Sequence, residues 1–145
     1  MSEQKPQRPQ IPADMKEFNR KLIEEFRAND GQLSGQMAGR QLMLLTTSGA
    51  STGRPQTVVI GYRPSGDAFV VIASDNGAAN DPKWYRNLQA DPNATAEVGH
   101  QKVQVRARTT QGDERERLGA LVEYLPRQQQ LTERQIPVVL LEPRE

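Results

Sequence analysis

Two stretches of the chain hold side chains whose types and spacing could do chemistry. The first is Thr46-Thr47-Ser48-Gly49-Ala50-Ser51-Thr52-Gly53-Arg54-Pro55-Gln56. Gly49 and Gly53 stand four apart among hydroxyl residues, so the backbone can approach a ligand closely and offer N–H and O–H donors, as phosphate-binding loops do. The stretch lacks the lysine of a nucleotide P-loop, and a hairpin loop would use the same glycines and serines for turn geometry alone. The second runs from Ala73-Ser74-Asp75-Asn76-Gly77 through Asn80-Asp81-Pro82 into Lys83-Trp84-Tyr85-Arg86-Asn87-Leu88. A strand end, a loop and a helix start meet there, and free N–H groups at a helix start favour a nearby anion. Trp84, the single tryptophan, and Tyr85 either fill the core or wall a flat ring.

The absences are equally informative. With no cysteine there is no disulfide, thiol nucleophile or zinc–thiolate site, and the single histidine, His100, sits in Gly99-His100-Gln101-Lys102, which reads as a hairpin turn. An enzyme with this inventory takes its hard chemistry from a bound cofactor. Lys+Arg and Asp+Glu totals of 19 and 18 leave a net charge of +1, which argues against a nucleic-acid partner. The sequence has neither the apolar run of a transmembrane helix nor the apolar core of a signal peptide, so a cytoplasmic location is expected.

The elements that must position these stretches follow from periodicity. Residues 1–12 mix Gln, Pro, Lys and Arg and read as a flexible tail; residues 13–39 read as an N-terminal helix and loop; residues 40–145 read as one β domain. Met15, Phe18, Leu22 and Phe26 make the helix amphipathic, a face for packing on its own domain, for a partner or for membrane-surface contact. Strands are expected over 41–47, 56–62, 68–74, 94–98, 102–109 and 136–142, with 62–68 as a turn. Asp81 is expected to cap a short helix beginning at Pro82, and Asp113 to cap a second whose stripe of Leu118, Leu121, Val122 and Leu125 stops at Pro126. About six antiparallel strands with few helices suggest a mainly β fold with flanking helices, closed as a small barrel.

The loop from Thr46 to Gln56, Val70-Val71-Ile72-Ala73-Ser74, the run from Asn80 to Leu88, and Ile136-Pro137-Val138-Val139 together resemble the deazaflavin-dependent nitroreductase family, in order and at near-constant spacing. The resemblance implies a split β-barrel, flavin-reductase-like, that holds the 5-deazaflavin coenzyme F-420 and passes a hydride to a quinone, a nitroaromatic or another small electron-poor acceptor. It puts the cofactor's phosphate and tail beside Gly49, Ala50, Ser51, Thr52 and Gln56. It sets Thr57, Val58, Val59, Ile60 and Gly61 along the ring-bearing strand and Ile72, Ala73, Ser74 and Asp75 at the next strand end. Lys83, Trp84, Tyr85, Arg86 and Asn87 fall on the capping helix. Ser74 matches a serine close to the reacting ring, where its hydroxyl would orient an acceptor oxygen.

The departures are specific. Ala50, Ser51 and Gln56 stand where the family has basic residues, and Asp75 where it often has Lys. Charged hydrogen bonds to a polyanion contribute about 1.5–3 kcal/mol each, so replacements are needed; the candidates are Arg54, Lys83, Arg86, Arg63 and Arg40. A flavin mononucleotide (FMN), with one phosphate and no glutamate tail, is the alternative ligand. Family tyrosines on the acceptor side correspond to Gly61, Leu125 and Gln128, which predicts a wider pocket. The oligomeric state is open.

Overall fold

The computed structural model describes residues 15–35, 38–74, 78 and 80–144. The expected tail and Asp75 lie outside the described residues. The helices are α1 (Met15–Ala28), α2 (Lys83–Ala90), α3 (Gly112–Gly119) and α4 (Leu125–Gln129); the strands are β1 (Leu42–Ser48), β2 (Pro55–Gly61), β3 (Arg63–Ser65), β4 (Ala68–Ile72), β5 (Asn93–Val98), β6 (Gln101–Thr109) and β7 (Val138–Pro143).

The seven strands form one sheet in the order β2-β1-β5-β6-β7-β4-β3, and every pairing is antiparallel. β2 and β3 lie at opposite edges, yet Tyr62 alone separates them in the chain. A one-residue link can join two edges only if the sheet curls until they meet, so the topology itself demands a curled half-barrel. Tyr62 fixes the corner by donating its N–H to the Gln41 carbonyl at 3.2 Å. Beyond the corner the edges part. Arg63 pairs with Val70, and counting back along that register sets Gly61 across from Ile72 and Val59 across from Ser74, where no ladder joins β2 to β4. This split is the opening in the barrel.

Alternation along the strands divides the core into layers. Met43, Leu45, Val71, Ala96, Val105, Val139 and Leu141 face inward and meet Trp84, Tyr85 and Leu88 of α2. On the outer face, Val70, Ile72, Val138 and Leu140 meet Leu118, Val122 and Ile136. β7 is covered on both sides, which explains its unbroken apolar run from Val138 to Leu141. α1 packs Phe26, with Leu22 and Ile23, against Leu44, Leu42 and Val59, so this part of its apolar stripe is spent on its own domain.

Four details differ from the expectation. The short strand β3 lies inside the segment read as a turn, because its pairing partner β4 arrives immediately afterwards. Pro82 rather than Asp81 is the α2 N-cap residue, and the Asp81 carboxylate serves Arg134 instead. Gln111 rather than Asp113 precedes α3. The expected stripe is broken: α3 ends at Gly119, Leu121 is exposed, and Pro126 lies in the first turn of α4 instead of stopping a helix, a position where its missing N–H costs nothing. His100 does occupy the β5–β6 hairpin, with Val98 opposite Gln101 and Gly99 at φ +59°, as a two-residue turn with glycine first requires.

The end of α1 is held by the Gly31 N–H donating to the Phe26 carbonyl at 2.8 Å, with Asp30 at φ +52°. That is a Schellman stop with aspartate in the left-handed position that glycine favours. Asp30→Gly should therefore stabilise the protein by about 0.5–1 kcal/mol, read as a higher urea midpoint with an unchanged slope; a lower midpoint would contradict this reading of the turn.

Candidate functional site

The Gly49–Gly53 loop is organised by one side chain on α2. Asn87 is 1% exposed. Its amide oxygen accepts the Ala50 N–H at 2.9 Å, and its amide nitrogen donates to Thr47 Oγ1 at 3.0 Å and Gln56 Oε1 at 2.9 Å. The helix is thereby joined to the end of β1, the loop and the start of β2. The loop closes on itself as well: Gly49 N–H donates to the Arg54 carbonyl at 2.8 Å, Gly53 N–H to the Gly49 carbonyl at 2.7 Å, and Arg54 N–H to Thr52 Oγ1 at 3.2 Å. The N–H groups of Gly49, Ala50, Gly53 and Arg54 are thus committed. Ser51 and Thr52 retain uncommitted N–H groups and both hydroxyl protons among the described residues.

The remaining loop positions follow from this network. Gln56 is a partner of Asn87 and supports the loop from within. Arg54, Lys83 and Arg86 are exposed, and their side chains carry no hydrogen bond or ion pair among the described residues. Lys83 precedes Asn87 by one helical turn and so stands on the loop-facing side of α2. Arg63, another candidate, is already engaged: it pairs with Glu123, stands 5.0 Å over the Tyr124 ring and donates to the Tyr62 carbonyl at 2.7 Å.

On the split itself the residues sort by strand face. Val58 and Ile60 of β2 pack on the inner core, whereas Val59 meets α1 and Thr57 Oγ1 bonds Thr46 Oγ1 at 2.8 Å. Across the split, Ile72 belongs to the outer core and Ala73 to the inner one. Ser74 is half-buried; its carbonyl accepts from Arg134 at 2.8 Å, and its hydroxyl has no partner among the described residues. Trp84 and Tyr85 take the core alternative: they meet edge-to-face at 6.3 Å inside the inner cluster, and the Tyr85 hydroxyl bonds Thr109 Oγ1 at 2.7 Å. In this arrangement they support α2 from beneath.

Two residues that sequence reasoning did not single out matter here. A Cβ added to Gly61 would come within 2.8 Å of the Tyr124 hydroxyl, so the space freed by glycine is filled by a tyrosine from another element, and the pocket is not simply wider at that point. Burial pushes the Tyr124 phenol above its usual range, against the opposing charge of Arg63, which leaves it a protonated donor at neutral pH. Arg134 holds the segment that carries Ser74. Neither had a local signature: Tyr124 precedes a Leu-Pro pair and Arg134 sits in a polar run, and only the fold brings them to the split. Gln128, matched to the acceptor side by resemblance, has a buried amide oxygen without a partner among the described residues. A groove of about 390 Å³ is lined by Thr46, Thr47, Ser48, Gly53 and Pro55 of the first chemistry-bearing stretch, together with Arg144.

A hydroxyl-lined loop, a helix tied across it and a half-barrel split with a free serine hydroxyl suit a protein that holds a flat, anionic cofactor and works through it; the comparisons define it as an F-420-dependent reductase. The family model described as F420H(2)-dependent quinone reductase matches residues 18–143. An F420H(2)-dependent quinone reductase of Mycobacterium tuberculosis is 33% identical over 124 residues, covering 80% of this chain and 83% of the relative. A solved F420-H2-dependent reductase, FDR-A, is 30% identical with a TM-score of 0.66, over 71% of this chain and 95% of that one. A solved chain described as a domain-swapped dimer is 26% identical with a TM-score of 0.67, over 89% and 100%. The chain belongs to the F420H(2)-dependent quinone reductase family and is an oxidoreductase of split-barrel fold.

Two substitutions test the geometry. Asn87→Leu strands the buried Thr47 hydroxyl and the Gln56 amide, so it should cost about 1–3 kcal/mol for each partner left unsatisfied, read by urea unfolding; a neutral result would remove Asn87 from its central place. Gly61→Ala should destabilise by about 1–3 kcal/mol through overpacking, and Tyr124→Phe in the same chain should restore most of it, because the ring carbon behind the hydroxyl is 3.7 Å away.

Proposed function

We propose that this oxidoreductase transfers a hydride from reduced coenzyme F-420 to a quinone, with nitroaromatics and other small electron-poor acceptors as the wider class. The observation that carries the reading is the Ser74 hydroxyl at the edge of the split, which has no partner among the described residues. The residues present fit such a cofactor. Ser51 and Thr52 offer N–H and O–H donors to its phosphate, and Arg54, Lys83 and Arg86 offer uncommitted positive charge to the phosphate and glutamate tail. Thr57 to Gly61 form the strand beside the split, and Trp84 and Tyr85 fix α2 from the core side. Nothing in the comparisons favours flavin mononucleotide, which serves as the contrasting ligand in the test.

When bound, the reduced deazaflavin supplies the hydride. The protein's share is orientation and electrostatics. Ser74 donates its hydroxyl proton in a hydrogen bond to the acceptor oxygen on which negative charge develops, and a proton from solvent completes the hydroquinone. The split, walled by Ile72, Tyr124 and the apolar face of β2, excludes part of the water around that oxygen. No cysteine or histidine is needed, in agreement with a chain that has none of the former and a turn residue for the latter. Among the described residues no helix is long and apolar enough to cross a membrane. We place the activity in the cytoplasm on the strength of the sequence.

Titration of the protein with reduced coenzyme F-420 and with flavin mononucleotide, followed by ring fluorescence and Trp84 quenching, decides the cofactor. Saturable binding of the deazaflavin below about 100 µM, roughly 5 kcal/mol, is expected, and flavin binding without it would refute the assignment. Ser74→Ala should lower kcat/KM for the acceptor about 10- to 100-fold with cofactor affinity unchanged; equal losses in both would remove the assigned role. Lys83→Gln with Arg86→Gln should weaken cofactor binding at least about tenfold, and Ser51→Lys should tighten it.

A further inference from the structure

We propose that Arg134 is the positioning residue of the acceptor side, setting where the Ser74 hydroxyl stands at the split; this rests on the reading of Ser74 given above. The Arg134 side chain is 16% exposed, and its guanidinium reaches two stretches of backbone at once. Nη2 donates to the Ala73 carbonyl at 2.9 Å and to the Ser74 carbonyl at 2.8 Å, Nε to the Ala78 carbonyl at 2.9 Å, and Nη1 to Asp81 Oδ1 at 2.9 Å. Ala73 and Ser74 beyond β4, Ala78 and the residue before the α2 cap are thus fixed to a single planar group.

Three of these four acceptors are carbonyls, so the contact is more than an ion pair. A planar fork with donors on three nitrogens can serve acceptors in three directions; a lysine ammonium is a point charge on a flexible stem and cannot hold the same set. Arg134 is itself held in place. Its carbonyl accepts from Gln129 Nε2 at 2.6 Å, its N–H donates to Thr132 Oγ1 at 3.3 Å, and Gln129 Oε1 accepts the Ile136 N–H at 3.0 Å. The order of support therefore runs from α4 through the 132–136 strap to Arg134 and then to Ser74. The bonded atom of Ser74 is its carbonyl, and among the described residues its hydroxyl has no partner, so the hydroxyl can meet a ligand while the backbone beneath it is held.

The test uses the full chain without cofactor first. Hydrogen exchange of peptides covering residues 72–85 is compared in the wild type, Arg134→Lys and Asp81→Asn. Arg134→Lys should speed exchange in that segment at least about tenfold and leave β1, β5 and β6 protected, whereas Asp81→Asn, which keeps the three carbonyl bonds, should change it less than about threefold. With reduced coenzyme F-420 and a naphthoquinone, Arg134→Lys should lower kcat about 10- to 100-fold while the coenzyme Kd stays within about threefold. Unchanged exchange, or protection lost evenly across the sheet, overturns the proposal, as does unchanged kcat in the lysine variant. A wild type that binds no coenzyme refutes the hydride-transfer reading instead, and the exchange comparison still decides whether Arg134 clamps the segment.

Discussion

The site depends on the Asn87 amide. A primary amide buried to 1% exposure costs several kcal/mol of lost hydration unless it finds partners, and the partners of this one, Ala50, Thr47 and Gln56, lie on the β1–loop–β2 unit. Because the acceptor side of the amide meets a backbone N–H and the donor side meets Thr47 and Gln56, the helix and the loop can lie together in essentially one register. The Gly49–Gly53 loop is thus shaped by neutral hydrogen bonds within the protein itself. That matters for affinity, since a loop already in its bound shape forgoes the ordering entropy that a floppy one loses on binding.

The second constraint is topological. With β2 and β3 at opposite edges and a single residue between them, the sheet has no open form available. Curling brings Gly61 toward Ile72 and Val59 toward Ser74, and the absence of a ladder there leaves room between two strands that would otherwise pair. Tyr124, latched by the Arg63–Glu123 pair and its own contact over Arg63, then occupies the outer side of that room. Glycine at position 61 and tyrosine at 124 are therefore one feature, divided between a strand and a loop far apart in the chain.

Much of the barrel was legible because its strands alternate. Val103, Val105 and Ala107 against Gln104, Arg106 and Arg108 is a local pattern, and β6 appeared where it predicts. β3 was not legible: Arg63, Pro64 and Ser65 have turn character, and they extend only because β4 pairs with them. Pro126 was misread for the complementary reason. A proline marks a helix boundary, but whether the helix lies before or after it depends on the exposed Leu121 and the close of α3 at Gly119, which composition does not state. At the site, residue types exposed the loop and the strand end, whereas the inward turn of Trp84 and Tyr85 is set by packing on the strands of the inner core and the clamp of Arg134 by bonds to residues 53 to 61 positions away in sequence.

Ala50, Ser51 and Gln56 put no cation at these loop positions, which has a physical consequence for how the loop would hold an anion. A cation inside the loop would act at short range through poorly screened, directed bonds. The uncommitted cations here, Arg54, Lys83 and Arg86, are exposed around it, and exposed charges are screened over about 8 Å at physiological ionic strength. Under the proposed reading two tasks are separated: Ser51 and Thr52 would supply direction to the phosphate, and the surrounding cations attraction. Direction is insensitive to salt and attraction is not, so affinity for a polyanionic cofactor would depend on ionic strength more than its orientation does.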